Sequence, residues 1–316
     1  MNWNVVGNGG TFLLVTSDLT CTLLQPDWTG IHLIFDLYSS TDSSDLLPGA
    51  GMAIAALALA DVPRYSKVAH SALEFSAQGI PAALVGYAPD GAWPEGPGYW
   101  CYITKNLLAV TECLVSSTGH DHGYMESLGV KETTVFAMQV HSTPSTAVDN
   151  YGDAEEETAT SGGIYTATPY LARYAANLLG LAARFPELGP APAVVARSAL
   201  SGPPAIMNVS VSGAWDDLCL ALMHWNSRDR EGQSLRTLPL ASFYQSQAVA
   251  VLRSSWQTGA ANASSYLAVK GGDSSITHQD LDHGHFVYDS MGVRWFCDLG
   301  GESYALPDMF LPFKGR

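Results

Sequence analysis

The stretch HQDLDHGHF at residues 278–286 concentrates groups that can do chemistry, with three histidines and two aspartates within eight positions. Imidazoles and carboxylates bind metals and transfer protons. In a strand, alternate side chains share a face. One face would then carry His278, Asp280, Asp282 and Phe286, and the other would carry His283 and His285. This spacing leaves a metal site, an acid–base site and a solvated loop all open.

A further carboxylate, Asp298, follows in the sequence DLGG. Whether it can complete a metal site depends on the turn predicted at DSMG, residues 289–292. A two-residue loop at 290–291 would set Asp298 opposite His283, on the wrong face. One extra loop residue would bring it beside Asp280 and Asp282.

The segment DGAWPEGPGYW at residues 90–100 combines aromatic side chains with a carboxylate on a Gly/Pro-rich loop. Trp93 and Trp100 could stack on a sugar, and Tyr99 could transfer a proton. Glu95 would be the polar contact. The alternative is a well-packed loop between helices.

Two further polar segments receive plainer interpretations. The acidic run VDNYGDAEEE, residues 148–157, is predicted to be a solvated loop. His120 and His122 in GHDHGY could bind a metal, but histidines flanked by glycine are typical of an exposed turn.

Composition excludes several classes of protein. The 316 residues are 47% hydrophobic and only 14% charged, which indicates a globular chain. The formal charge of −15 argues against nucleic-acid binding, which needs clustered Lys and Arg. No apolar run is long enough for a membrane span, and no signal peptide is evident at the start.

The pattern of apolar residues along the sequence changes near residue 237. Before it, segments such as TPYLARYAANLLGLAARF repeat apolar residues at helical spacing and predict helical hairpins. After it, short β-rich runs broken by Gly and Ser predict antiparallel strands. We therefore expect an α+β chain with a helical domain at 1–237 and a β domain at 238–316.

Four segments together resemble the heparinase II/III-like polysaccharide lyases, which are related to heparan and alginate lyases. They are NWN at 2–4, GMAIAALALAD at 51–61, DGAWPEGPGYWCY at 90–102, and the stretch from AVLRSSW to DLGGESY at 250–304. The resemblance implies an incomplete (α/α) toroid followed by a partial antiparallel β-sandwich. It also implies β-elimination at a uronic acid, in an alginate, heparan or chondroitin-type polysaccharide.

The resemblance also implies roles for individual residues. Tyr99 and His278 match the catalytic tyrosine and histidine, and Asn2 and Asn4 match the start of a toroid helix that neutralises the substrate carboxylate. Substrate contacts would come from Trp3, Trp93, Glu95 and Trp100. A structural zinc would be held by Asp280 and Asp298, with no counterpart in this chain for the third ligand, a histidine.

The chain departs from the family pattern at residues 11–50, which separate NWN from GMAIAALALAD. We expect a fragment with an inserted segment there, and translated intron is the hypothesis; a spliced transcript that keeps these codons would contradict it. The family suggests an extracellular, periplasmic or secretory location. Two alternatives to a lyase stay open: a non-catalytic carbohydrate-binding relative, and a toroidal glycoside hydrolase that uses Glu95 and Asp282.

Overall fold

The structure is a computed structural model. It describes residues 4–8, 11–15, 21–24, 43–142, 149–152, 169–200, 220–225, 234–256, 264–273, 275–276, 278 and 282–298. The chain divides into two compact units, Met1–Val85 with Asn106–Tyr124, and Gly86–Lys105 with Met125–Arg316. These units do not follow the predicted boundary at 237/238, which stays a prediction.

The first unit contains a small sheet and a helical hairpin. Strands β1 (Asn4–Asn8), β2 (Thr11–Val15) and β3 (Cys21–Leu24) pair antiparallel in that order. Helices α1 (Ser43–Leu59) and α2 (Ser66–Leu84) pack against each other. The expectation of a helix start at Asn4 is wrong, because Asn4 begins β1. Asn2 and Trp3 lie outside the described residues.

The second unit contains further helices. Helix α3 (Gly96–Thr118) begins in it, and α4 (Thr133–Gln139), α5 (Pro169–Arg184) and α6 (Ala191–Leu200) follow. Helix α5 confirms the predicted amphipathic segment, and its Tyr174, Leu178 and Leu181 are buried. In the described part of the chain, no helix is both long and apolar enough to cross a membrane.

A five-stranded antiparallel sheet completes the second unit and confirms the predicted change to strands. Its order is β4 (Ala241–Tyr244), β5 (Val249–Arg253), β6 (Ser265–Lys270), β7 (Phe286–Ser290) and β8 (Val293–Phe296). One face carries the buried residues Tyr244, Val251, Tyr266 and Val287. Helices and an antiparallel sheet in successive parts of the chain confirm the α+β class.

The other face of the sheet is apolar but exposed. The pairing register aligns its side chains in two rows across the strands. The rows are Phe243, Ala250, Val269, Phe286, and Ala241, Leu252, Leu267, Tyr288, Phe296. Phe243 is 66% exposed, and Leu252, Phe286 and Phe296 are also exposed. We call these two rows the open face of the sheet.

The β7–β8 hairpin combines a short turn with a bulge. Met291 and Gly292 form the two-residue turn, both with positive φ (54° and 74°), as hairpin turns of this length require. The pairing then shifts by one residue, so that Arg294 faces Asp289 but Phe296 faces Tyr288. The loop is therefore one position later than the 290–291 loop considered from sequence, and the strand itself contains an extra residue.

Arg253 on β5 anchors the buried face of the sheet to the chain around residue 140. Its guanidinium donates to the carbonyls of Met138 (3.1 Å), Gln139 (2.6 Å) and His141 (2.5 Å). The same group lies 3.9 Å from the ring centroid of Trp256. A buried guanidinium stays charged when its N–H groups donate to carbonyls.

His141, next to this anchor, is a buried neutral histidine. Its ring stacks on Tyr174 with centroids 4.1 Å apart. Burial lowers the pKa of His141 to about 3, and the positive charges of Arg253 and Arg294 act in the same direction. The folded protein therefore keeps His141 neutral at pH values somewhat below 6.5. In the unfolded chain, the same imidazole has its ordinary pKa of 6.5 and is protonated there.

This difference predicts a specific loss of stability in acid. The stability that neutral His141 contributes is complete above pH 6.5 and is lost as the pH falls from there toward 3. We expect wild type to lose ~1.4 kcal/mol of unfolding free energy per pH unit in this range relative to His141→Phe, which keeps the stack on Tyr174. Urea unfolding of both proteins between about pH 7 and 4.5 measures the difference; parallel curves would contradict it.

Candidate functional site

Tyr99 and His278, 179 positions apart in the sequence, meet face to face. Their ring centroids are 3.9 Å apart and their planes differ by 19°. Both residues are partly exposed, with 24% of the His278 side chain accessible. Tyr99 lies in the first turn of α3, and His278 in the loop before β7. Two groups capable of proton transfer are thus adjacent and reachable from solvent.

Glu95 lies beneath this pair as a buried carboxylate. It is fully buried, and the indole Nε1 of Trp93 donates to its Oε2 (3.0 Å). Its other oxygen, Oε1, is 3.9 Å from Nε2 of His278. A buried carboxylate facing an imidazole can orient the ring.

The backbone of His278 has φ of +60°, a left-handed conformation that is uncommon for residues other than glycine. Such conformations cost free energy and cluster at functional sites. This geometry is a second, independent reason to place chemistry at His278.

The two tryptophans predicted to stack on substrate lie in the protein core instead. Trp93 and Trp100 are both fully buried. Trp93 contacts Tyr87 (centroids 4.8 Å apart), and Trp100 Nε1 donates to Thr133 Oγ1 (2.7 Å). Neither ring has a free face for a sugar, so both are core residues that support the loop carrying Glu95.

A second cluster centres on His285. Its Nδ1 lies 2.7 Å from Asp298 Oδ2 and its Nε2 lies 2.9 Å from Asp149 Oδ1. Because ionised carboxylates only accept, both ring nitrogens donate and the ring is an imidazolium. Burial alone would lower the pKa of His285, but the hydrogen bonds to Asp149 and Asp298 outweigh it and raise the pKa to about 10.

Among the described residues, the acidic groups around His285 outnumber the basic ones. Asp149, Asp282 and Asp298 supply three negative charges, and His285 with the fully buried Lys270 supplies two positive ones. Burial raises the pKa of Asp282, which favours uptake of a proton there. In addition, Oδ2 of Asp149 is buried and accepts no hydrogen bond from the described residues. One further positive charge would neutralise the cluster.

These residues fit a divalent metal. Ligand atoms of Asp282, His285 and Asp298 all lie within 4.8 Å of one another, and no other such group of three occurs among the described residues. One nitrogen and two carboxylate donors suit Zn²⁺ and other first-row ions. The ion would displace the proton on Nδ1 of His285, so that binding adds one net positive charge and releases one proton. Asp149 would remain on the far nitrogen of His285, as carboxylates do behind metal-bound histidines.

The predicted metal pair of Asp280 and Asp298 is therefore only partly placed. Asp298 lies in the cluster, whereas Asp280 lies outside the described residues. The expectation that strand alternation places His285 on the face opposite Asp282 is wrong, because both lie in one group with Asp298. Residues 282–285 form a turn and β7 starts at Phe286, so strand alternation does not apply to them. His283 is exposed.

The segment 149–152 is buried, in contrast to the solvated loop that its composition predicts. Asp149, Asn150 and Tyr151 are all fully buried. Asp149 contacts His285, and Gly152 N–H donates to Asp282 Oδ2 (2.7 Å). The acidic residues that follow dominate the composition of this run and make it look like a solvated loop. The indication of burial is that an aromatic residue and a glycine, Tyr151 and Gly152, follow Asp149 closely. Sequence reasoning also misses Lys270, because a lysine in a strand is normally exposed.

Mutagenesis can distinguish the ligand set seen in the structure, which includes Asp282, from the set implied by the resemblance, which includes Asp280. We expect purified protein to bind one divalent ion per chain, and Asp282→Asn to abolish binding because it removes an anionic ligand. Asp280→Asn is the matched change at the position that the resemblance favours. Calorimetric titration of Zn²⁺ into EDTA-treated proteins measures both. If only Asp280→Asn loses Zn²⁺ binding, the ligands are the pair that the resemblance implies, Asp280 and Asp298, and Asp282 is not a ligand.

Comparison with known proteins supports the fold. Two solved structures of heparinase III (the BT4657 gene product), one of them with methylated lysines, superpose on the chain with a TM-score of 0.55 and 16% identity. The alignment covers 90% of this chain and 38% of the length of those structures. No protein-family model and no curated protein matches the sequence. At this identity the likeness shows a weak, fold-level relation to heparinase-like lyases.

Proposed function

We propose that the protein is a polysaccharide lyase that cleaves a uronic-acid-containing polysaccharide by β-elimination. The observation that carries this proposal is the stacked, solvent-accessible pair of Tyr99 and His278 beside the buried Glu95. The fold-level likeness to heparinase III adds support. The sequence motifs that contributed these three residues are the ones that resemble the lyase family.

The reaction needs a base for the C5 proton of the uronate and an acid for the departing C4 oxygen. Tyr99 and His278 can exchange these protons, because their stacked rings bring both groups within reach of one sugar. Glu95 faces His278 from inside the protein and would hold the imidazole in place. The substrate carboxylate must also be neutralised before the C5 proton becomes acidic. Asn2 and Asn4 remain the proposed neutralising groups.

The proposed metal is structural. Bound at Asp282, His285 and Asp298, it would supply positive charge to the carboxylates of Asp149, Asp282 and Asp298 and would take no part in proton transfer. Anionic polysaccharide is the proposed partner. An extracellular, periplasmic or secretory location is proposed from the resemblance to the lyase family.

The domain architecture is part of the same proposal. Helical hairpins such as α1–α2 and α5–α6 are consistent with part of an (α/α) toroid over residues 1–237. The open face of the five-stranded sheet is the kind of surface on which a second sheet packs in a β-sandwich, about 10 Å away.

The buried position of Glu95 argues against a glycoside hydrolase. A hydrolytic carboxylic acid must reach the glycosidic oxygen, and Glu95 is fully buried beneath Trp93 and His278. A non-catalytic carbohydrate-binding relative would keep the fold but lose turnover.

A lyase screen tests the proposal directly. The protein is incubated with alginate, heparan sulfate, chondroitin sulfate and hyaluronan, and unsaturated ends are followed by their ultraviolet absorbance. We expect absorbance to rise with at least one substrate. Saturated reducing ends without ultraviolet absorbance would indicate a hydrolase, and glycan binding without turnover would indicate a binding protein.

A further inference from the structure

Gly152 lies where the two halves of the proposed site meet. Its φ is +71°, and a Cβ placed on it would lie 2.9 Å from the backbone oxygens of both Glu95 and His278. Real Cβ atoms do not approach oxygen so closely, so only glycine lets the two carbonyls approach this position. Gly152 is therefore in contact with the chain segments that carry Glu95 and His278.

A second glycine, Gly96, is also packed closely against a backbone carbonyl, that of Tyr151, which is one residue before Gly152. Gly96 has φ of +88°, and a Cβ there would lie 2.4 Å from the carbonyl oxygen of Tyr151. The backbone of residues 151–152 thus packs directly on residues 95–96, at the start of the helix that carries Tyr99. Two glycines at one crossing indicate that close backbone approach is required there.

The same segment is tied to the His285 cluster at both of its ends. The Gly152 N–H donates to Asp282 Oδ2 in a buried, charge-assisted hydrogen bond of 2.7 Å. At the other end, Asp149 Oδ1 accepts from His285 Nε2. Residues 149–152 therefore contact the His285 cluster through side-chain hydrogen bonds and the Tyr99–His278 site through backbone packing.

We infer that Gly152 is a positioning residue that holds Glu95 and His278 against each other, and that Asp282 fixes Gly152 in that place. The His285 cluster then supports the proton-transfer pair through the chain, with no direct contact to substrate. This inference deepens the proposed function and rests on it for its catalytic consequence, but its structural part can be measured without activity.

The test compares Gly152→Ala with Gly189→Ala. Gly189 also has a positive φ, +69°, but no described atom beyond its chain neighbours lies within 4 Å of the place that a Cβ would take, so alanine there meets an unfavourable φ without the collision. The readout is the ¹H–¹³C spectrum of ¹³C-histidine-labelled, EDTA-treated protein, with the His278 signal assigned by its absence in His278→Gln. Stacking on Tyr99 shifts this signal upfield.

We expect Gly152→Ala to move the His278 signal downfield, toward that of an unstacked histidine, and Gly189→Ala to leave it at the wild-type position. On the substrate found in the lyase screen, kcat of Gly152→Ala should fall about 100-fold with little change in KM, since displacement by roughly 1 Å has this effect on reacting groups. Gly189→Ala should keep the wild-type kcat.

A milder variant covers the case in which Gly152→Ala does not fold. Asp282→Asn keeps the shape of the side chain and an acceptor for the Gly152 N–H but removes the charge that strengthens the bond. It should move the His278 signal in the same direction by a smaller amount. A wild-type His278 signal in every folded variant of this pair would overturn the inference.

Failure of the inference and failure of the proposed function give different results. If wild type has no lyase activity but Gly152→Ala displaces His278, the positioning role stands and the lyase proposal fails. If wild type is active and Gly152→Ala matches Gly189→Ala in both spectrum and kcat, the positioning role is wrong and the lyase proposal stands.

Discussion

Tyr99→Phe is expected to reduce the formation of unsaturated products by about 10²–10⁴-fold, the range that positioned proton transfer contributes. The substitution removes one oxygen and keeps the ring that stacks on His278 at 3.9 Å. Substrate binding should therefore change little, and the loss should appear in kcat. Initial rates of the increase in ultraviolet absorbance, measured over a range of substrate concentrations, separate kcat from KM.

Tyr102→Phe provides the matched control. Tyr102 lies one turn further along α3, with its ring edge-on to Tyr99 at 6.5 Å. Removal of its hydroxyl changes the same helix by the same atom and should leave kcat within a few-fold of wild type. Full activity in Tyr99→Phe would exclude a proton-transfer role for Tyr99, and equal losses in both variants would indicate a general effect on α3.

The second large effect is on stability. His285→Gln should lower the unfolding free energy of EDTA-treated protein by on the order of 3–5 kcal/mol near neutral pH. Glutamine can still donate one hydrogen bond, but it carries no positive charge to set against Asp149, Asp282 and Asp298. Chemical denaturation near pH 7.5 measures the loss. His283→Gln, an exposed neighbour, is the control and should be close to neutral.

The pH dependence of this difference has a definite sign. The pKa of His285 is raised from 6.5 to about 10 in the folded protein. Its stabilising contribution is therefore complete below pH 6.5 and is lost as the pH rises through about 10. The difference in unfolding free energy between wild type and His285→Gln should therefore become smaller as the pH rises from 6.5 to about 10. A gap that stays constant up to about pH 10.5 would mean that His285 is not held as an imidazolium.

Local sequence patterns predict the elements well. The apolar spacing in residues 169–185 and the β-rich runs after 240 correspond to α5 and to the sheet, since both depend on short-range periodicity. The DSMG turn is also predictable. Its bulge is not, because an extra residue in β8 has no local signature in VRWF.

The site is predictable only where motifs can be matched. Tyr99 and His278 come from the family resemblance, and their stacking depends on packing between segments 179 residues apart, which no local pattern encodes. The prediction for His285 is wrong because it applies strand alternation to a turn. Asp149 and Lys270 escape prediction because their burial depends on partners supplied by distant segments. Long-range charge pairing is the part of the site that periodicity cannot show.

The open face of the sheet has a consequence for how molecules of this chain behave together. Its two apolar rows favour contact between molecules, whereas a formal charge of −15 keeps them apart. The repulsion is screened by salt, with a Debye length that falls from roughly 30 Å at 0.01 M to about 10 Å at 0.1 M, while the apolar attraction is not. Ionic strength therefore sets the colloidal balance, and dilute buffer favours dispersed molecules.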